Sequence, residues 1–195
     1  MNDTRLIGLG LCGLLFTQPC FAQEQPIEQQ AASIANMLFQ HVCVADFLGK
    51  QSVEKTVTEL GVEEMPKEVA QYLIKDLSNT KVYNFSNNYG AFAVAHTLDK
   101  NSSCTVFSEK ANIEKFSELF FKNMPLKPAD GNPWMQIHEP STSSNVVTQD
   151  IDIMTTVSEK PMKIGEMHLY QNKNPNTKIR IALNIAFTLP GVDHK

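Results

Sequence analysis

The chain has 195 residues, with 17 lysines and arginines against 21 aspartates and glutamates, a net charge of −4, 42% hydrophobic and 19% charged residues. That balance excludes a disordered tail, a collagen-like repeat and a polytopic membrane protein. Mild acidity without a Lys/Arg-rich stripe also argues against nucleic acid or anionic lipid as the main partner.

Residues Leu6 to Phe16 form an apolar run preceded by Arg5 and followed by Pro19 and Cys20-Phe21-Ala22. A helix of that run would span about 16 Å, roughly half a bilayer core, so it is too short for a permanent span and reads as a signal peptide, residues 1–22, cleaved after Ala22. Cys12 follows Leu11 and Cys20 follows Pro19, so neither has the small neighbour of a lipoprotein site. The reading predicts a periplasmic protein with no stable membrane span in the mature chain. Roughly 170 residues then remain, enough for one domain with its own core. Two cysteines leave with the leader, and Cys43 and Cys104 are predicted to pair as a disulfide in an oxidising compartment. The alternative, a reactive thiol pair, lacks the Cys-x-x-Cys spacing that tunes redox cysteines.

Residues 23–30 are polar and predict a flexible arm, after which 31–195 read as a single α+β domain. Ile34, Met37, Leu38, His41, Val42, Ala45 and Leu48 recur at helical spacing and predict one buried helix face, stopped at Gly49. Ser52 caps a second short helix with Val53, Val57 and Leu60 inward, and Pro66 opens a third carrying Val69, Ala70, Leu73, Ile74 and Leu77. After Asn79 the period falls to two: Val82–Phe85 and Ala91–Leu98 predict a hairpin, and Cys104–Phe107 a further strand. Asn112 caps an amphipathic helix bearing Ile113, Phe116, Leu119, Phe120 and Met124.

Residues 125–145 hold four prolines and a Ser/Thr cluster, which predicts a long proline-rich surface loop. Beyond it, Val146–Val157 and Lys163–Gln171 predict strands, and Ile179 to Leu189 alternates strictly between apolar and other residues. The predicted architecture is an antiparallel sheet of about five to six strands with helices packed on one face.

Matching apolar faces sets Ile151 and Ile153 against Leu169 and Met167, and these against Ile181 and Leu183. The opposite face then collects Asp150, Asp152, Glu166, His168, Tyr170 and Arg180, with Asp152 directly across from His168. Asp150, Asp152, Glu166 and His168 are weak candidate ligands for a divalent cation, and the alternatives are a solvated sheet face or a polar protein-binding face. His96 and His41 read as buried neutral imidazoles bonded to backbone, since no Ser or Asp is placed by sequence to form a relay. Trp134, Met135, Ile137 and His138 form a candidate partner-binding segment, unless the loop folds back onto its own core. There is no Gly-x-Ser-x-Gly elbow, Gly-rich phosphate loop, haem site or glycosidase acid pair, so no catalytic residue and no cofactor is assigned.

A first helix ending in Cys43-Val44-Ala45-Asp46-Phe47, a helix after Pro66, the Ala91–Leu98 strand and Ser103-Cys104-Thr105-Val106-Phe107 together resemble a family of small exported proteobacterial (periplasmic) proteins with a Cys-x-Val-Phe strand and a two-cysteine staple. The resemblance covers residues 31 to 124 and implies an envelope location and an α+β fold with a bridge between the two cysteines. It carries no catalytic residue over. The function expected from all of this is a non-enzymatic periplasmic protein that binds another envelope protein, as an accessory or stabiliser of an envelope machine. A small-ligand or sensor-like domain is the alternative, favoured by an apolar cavity lined by Phe92, Val94 and His96, and an exported metal-dependent hydrolase on the Asp152 and His168 face is the third reading.

Overall fold

The computed structural model describes residues 26–98, 102–122 and 133–187, so the expected signal peptide at 1–22 lies outside the described residues. An eight-stranded antiparallel sheet runs in the order β1-β2-β3-β8-β7-β6-β4, with β5 also paired to β6. The strands are β1 Thr80–Asn84, β2 Phe92–Thr97, β3 Ser103–Ser108, β4 Trp134–Ile137, β5 Ser141–Ser143, β6 Val146–Val157, β7 Lys160–Asn172 and β8 Ile181–Phe187. The α+β class holds, and the sheet is larger than expected because the proline-rich segment is not loop throughout: it supplies β4 and β5.

The helix layer begins with α1, Ile27–Leu38, which continues through a π-helical segment, Phe39–Val44, into α2, Ala45–Phe47. The polar arm therefore ends before residue 27. The buried face of this long helix is Ala31, Ala32, Ala35, Leu38, Phe39, Val42 and Cys43. Met37 and Leu48 are half exposed and His41 is exposed, contrary to the stripe read from side-chain size. Over α1 the alanines let the helix axis approach its neighbours closely, and the larger buried side chains begin at Leu38 and Phe39. α5, Ile113–Lys122, packs on α1 through an aromatic cluster in which Phe39 and Phe120 meet edge to face with ring centres 5.8 Å apart. Asn112 caps α5 by accepting from the Lys115 N–H at 2.8 Å, as expected from its side chain.

Cys43 in the π segment is joined to Cys104 in β3, with Cα atoms 5.3 Å apart. β3 lies between β2 and β8, so the bridge fastens the helix layer to a middle strand. α3, Val53–Glu59, is capped by Ser52 and by Asp46, whose Oδ1 accepts from the Val53 N–H at 3.3 Å. The expected helix after Pro66 is only one turn, α4, Lys67–Ala70. Ala70, with Leu73, Ile74 and Leu77 beyond it, packs on Val82, Ala93 and Ala95, the face of β1 and β2 turned away from α1 and α5. Helical segments thus cover both faces at this end of the sheet, not one, while the β6–β7–β8 end is covered on one face among the described residues.

The strand register differs by two residues from the one expected: Ile151 pairs with Met167, Ile153 with Gly165, and Leu169 with Leu183. A shift of two preserves which face each side chain occupies, so the apolar set still faces the helices. A Ser158-Glu159 turn, both residues at positive φ, closes the β6–β7 hairpin. A β-bulge opposite Ile153 and Met154 leaves Ile164 without a partner on β6. Gly165 sits beside it under Phe47 of α2, where an added Cβ would stand 2.7 Å from the ring and 2.8 Å from the Ala186 carbonyl. The glycine is required by this close approach of helix to sheet.

Two stability measurements follow from this packing. Gly165→Ala forces the ring or the strand to move and is expected to cost about 1–3 kcal/mol in urea unfolding, with part of that loss recovered when Phe47 is also shortened to Leu. The pair Cys43→Ser and Cys104→Ser opens a loop spanning 61 residues, and the expected loss of stability is about 4 kcal/mol in the chain-entropy account.

Candidate functional site

On the face of β6 and β7 turned away from the helices, Asp150 pairs with His168 and Asp152 with Glu166, not Asp152 with His168 as the apolar matching implied. His168 Nδ1 lies 2.8 Å from Asp150 Oδ1, and its Nε2 lies 3.3 Å from Glu166 Oε1. Lys163 Nζ donates to Asp152 Oδ1 at 2.6 Å and to Glu166 Oε2 at 2.9 Å. His138 Nε2 meets Asp152 Oδ2 at 2.9 Å. The result is one continuous chain, His138–Asp152–Lys163–Glu166–His168–Asp150, around an open volume of about 280 Å³. Arg180, expected in this cluster, instead donates from Nε to the Asn172 carbonyl.

Strict alternation would send Lys163 to the helix side of the sheet. The bulge turns two successive residues to one side: Ile164 packs on the core next to buried Gly165, and Lys163 and Glu166 emerge together on the open face. An i,i+3 ion pair within a strand is possible only because of that extra residue. Sequence reasoning missed Lys163, although an isolated glycine inside a strand pattern is the recognised mark of a bulge.

The charges reinforce one another. Partial burial raises the Asp152 carboxyl, but bonds from Lys163 and His138 outweigh it and hold its pKa below the ordinary value. Glu166 is lowered chiefly by the Lys163 hydrogen bond, against burial. For His168 burial favours the neutral ring, yet Asp150 and Glu166 outweigh it and raise the pKa. Each of the three carboxylates already has a cationic or imidazole partner, and no cluster of three or more His, Cys, Asp or Glu is arranged to hold a metal ion among the described residues. A divalent cation at this position would have to displace Lys163 from Asp152 and Glu166.

Of the candidate partner-binding residues, Met135 and Ile137 face the core. Trp134 and His138 alternate with them on the open face, Trp134 opposite Met154 and His138 against Asp152. The segment therefore does fold back onto the domain, but as an outer strand that keeps its tryptophan beside the charged chain.

His96 is buried at 3% exposure, and its partners are carboxylates rather than backbone. Nδ1 lies 2.9 Å from Glu54 Oε1 in α3, and Nε2 lies 3.6 Å from Asp46 Oδ2 in α2 and 3.4 Å from Ser102 Oγ. Burial opposes the charged ring, but Asp46 and Glu54 together outweigh it and raise the pKa. A raised pKa and a second carboxylate at Nε2 suit a cationic clamp between α2, α3 and β2, not a general base for Ser102.

A third feature lies on the same face as the ion-pair chain but nearer β3. Two adjoining volumes, about 340 and 400 Å³, share Phe107, Lys178 and Ile179 and form an apolar groove between the α4 segment and the turn before β8. Phe92 lines it. Val94 and His96 do not line it.

Comparison with known proteins adds little to this geometry. No family model matches the chain, and no solved structure matches it. A 68-residue stretch is 35% identical to the NADP isocitrate dehydrogenase of Pseudomonas aeruginosa (strain UCBPP-PA14), covering 30% of this chain and 16% of that enzyme's length. The fold and its faces therefore define the class by themselves: an antiparallel α+β protein stapled by one disulfide among the described residues.

The His96 clamp predicts a direction for stability against pH. A folded-state pKa above the unfolded value contributes stability that is complete below about pH 6.5 and is lost as pH rises through the folded value. Urea midpoints are expected to fall between about pH 6 and pH 8, and Glu54→Gln is expected to flatten that fall while lowering the midpoint most at the acidic end.

Proposed function

We propose that this is an exported, non-enzymatic envelope protein that binds another envelope protein through the open face of β4, β6 and β7. The observation that carries the reading is Trp134 set on that face beside a pre-assembled chain of six ionisable groups. A tryptophan flanked by already satisfied ion pairs has the composition of an interface anchor: apolar area at its centre and a polar rim that costs little to order on docking. Export is supported by the leader-like residues 1–22 and by the Cys43–Cys104 bridge, and the bridge persists in an oxidising compartment. No helix among the described residues is long and apolar enough to cross a membrane.

In-cell crosslinking of a tagged chain in its own host, followed by purification and mass spectrometry, tests the proposal. One envelope protein is expected to be enriched with the wild type and reduced about tenfold or more with Trp134→Ala, with a smaller reduction for His168→Ala. Enrichment that is equal in both variants, or no partner above background, overturns it. The apolar groove favours a second reading, a small-ligand-binding domain.

A further inference from the structure

We infer that the groove beside β3 is a binding site for a zwitterion with an apolar side chain, of the α-amino acid class; this rests on the second reading above. Its lining is mixed. Met65, Leu73, Ala91, Ala93 and Phe107 supply apolar surface, and one carboxylate, Glu109, and one ammonium, Lys178, border the same volume. Ser108 pairs with Ile181, and the Arg180 N–H donates to the Ser108 carbonyl. Glu109, just past the end of β3, and Lys178, just before β8, therefore leave neighbouring strands at the same end of the groove.

Neither charged group has a hydrogen-bond or ion-pair partner among the described residues, and the two are not bonded to each other. Lys163 and Lys115 differ in this respect, since both of their ammonium groups are paired. Of the neutral polar side chains on the groove, Asn84 and Ser86 are bonded together, Asn84 Oδ1 accepting from the N–H and the hydroxyl of Ser86. Ser108 alternates with Phe107 along β3, so its buried, unpartnered Oγ belongs to the helix side with Cys104 and Val106. The two free charges thus set the choice of ligand. A carboxylate alone is drawn to Lys178 but repelled by Glu109, and an amine alone meets the reverse; a molecule carrying both on one carbon satisfies both. Lys178 also lines the adjoining volume with Thr177 and Tyr170, whose hydroxyls are further donors for a carboxylate. An aromatic or branched side chain on the same carbon is accommodated beside Phe107 and the alanines in a volume of about 340 Å³.

Isothermal titration near neutral pH with phenylalanine, phenylpropionate and phenethylamine tests the inference on the intact chain, since the second lacks the ammonium and the third the carboxylate. Phenylalanine is expected to bind saturably at one site, and each analogue about threefold to tenfold more weakly. Glu109→Gln is expected to weaken phenylalanine by a similar factor without weakening phenylpropionate. Lys178→Met is expected to weaken phenylalanine without weakening phenethylamine, and neither variant is expected to change the melting temperature. The dipeptide phenylalanyl-leucine, whose charged ends are a residue apart, is expected to bind more weakly than phenylalanine; tighter binding overturns the free amino acid in favour of a peptide. If either analogue binds as well as phenylalanine, or either variant binds phenylalanine as the wild type does, the zwitterion assignment falls while the small-ligand reading stands. If none of these compounds binds, both fall.

Discussion

A layer of helices keeps one face of a sheet dry only if it is held in fixed register on the strands beneath, and here the Cys43–Cys104 bridge fixes it at β3. β3 is the strand on which the N-terminal hairpin, β1 and β2, meets the C-terminal strands β8, β7 and β6. A restraint at that point serves both halves. It also sets the rotation of the long first helix, since the π segment that presents Cys43 is continuous with α1 on one side and with Phe47 on the other. From there the contacts propagate: Phe39 to Phe120 of α5, Phe47 to Gly165 of β7, and Asp46 to the start of α3 and to His96.

With one face sealed in this way, the other is free to differ along its length. At the β1 and β2 end it is closed by the short α4 segment, which packs on alanines. At the β6 and β7 end it is polar, and between them lies the groove. An alternating strand has to place a side chain on each face, and the character of the second face is decided by what those alternate positions carry. Ala93, Ala95 and Ala182 leave room on this face, whereas Asp150, Asp152, Glu166 and His168 fill theirs with charge.

Much of the fold was legible because its signals are local. The Ser52 and Asn112 caps, the glycine stops and the period-two strands at 146–157 and 181–187 each follow from a few neighbouring residues. The disulfide followed from compartment and counting. What escaped is non-local or depends on small residues. The buried face of α1 is built on alanines, which carry little hydropathy weight, and α4 is one turn long, with Leu73, Ile74 and Leu77 packing on the sheet beyond its end. The acidic and imidazole cluster was found by face, since face depends only on parity. Its pairing was missed, because register depends on the turn at Ser158 and Glu159 and on a bulge that no periodicity contains. The partners of His96 were invisible for the same reason: Glu54 and Asp46 arrive from helices more than forty residues away in the chain.

The bulge at Ile164 also sets which groups meet on the charged face. Without it Asp150, Asp152, Glu166 and His168 would form an acid-rich cluster with a single imidazole, open to a divalent cation. With it, Lys163 stands between Asp152 and Glu166 and bonds to both. A metal at that position would have to displace an ammonium whose own pKa is raised by those two carboxylates against the opposing effect of burial. The ion pairs are partly exposed, so their contribution to stability is small. Their consequence is geometric: they hold the face in one arrangement next to Trp134, and a surface ordered before contact loses less entropy on binding than one that must be ordered by its partner.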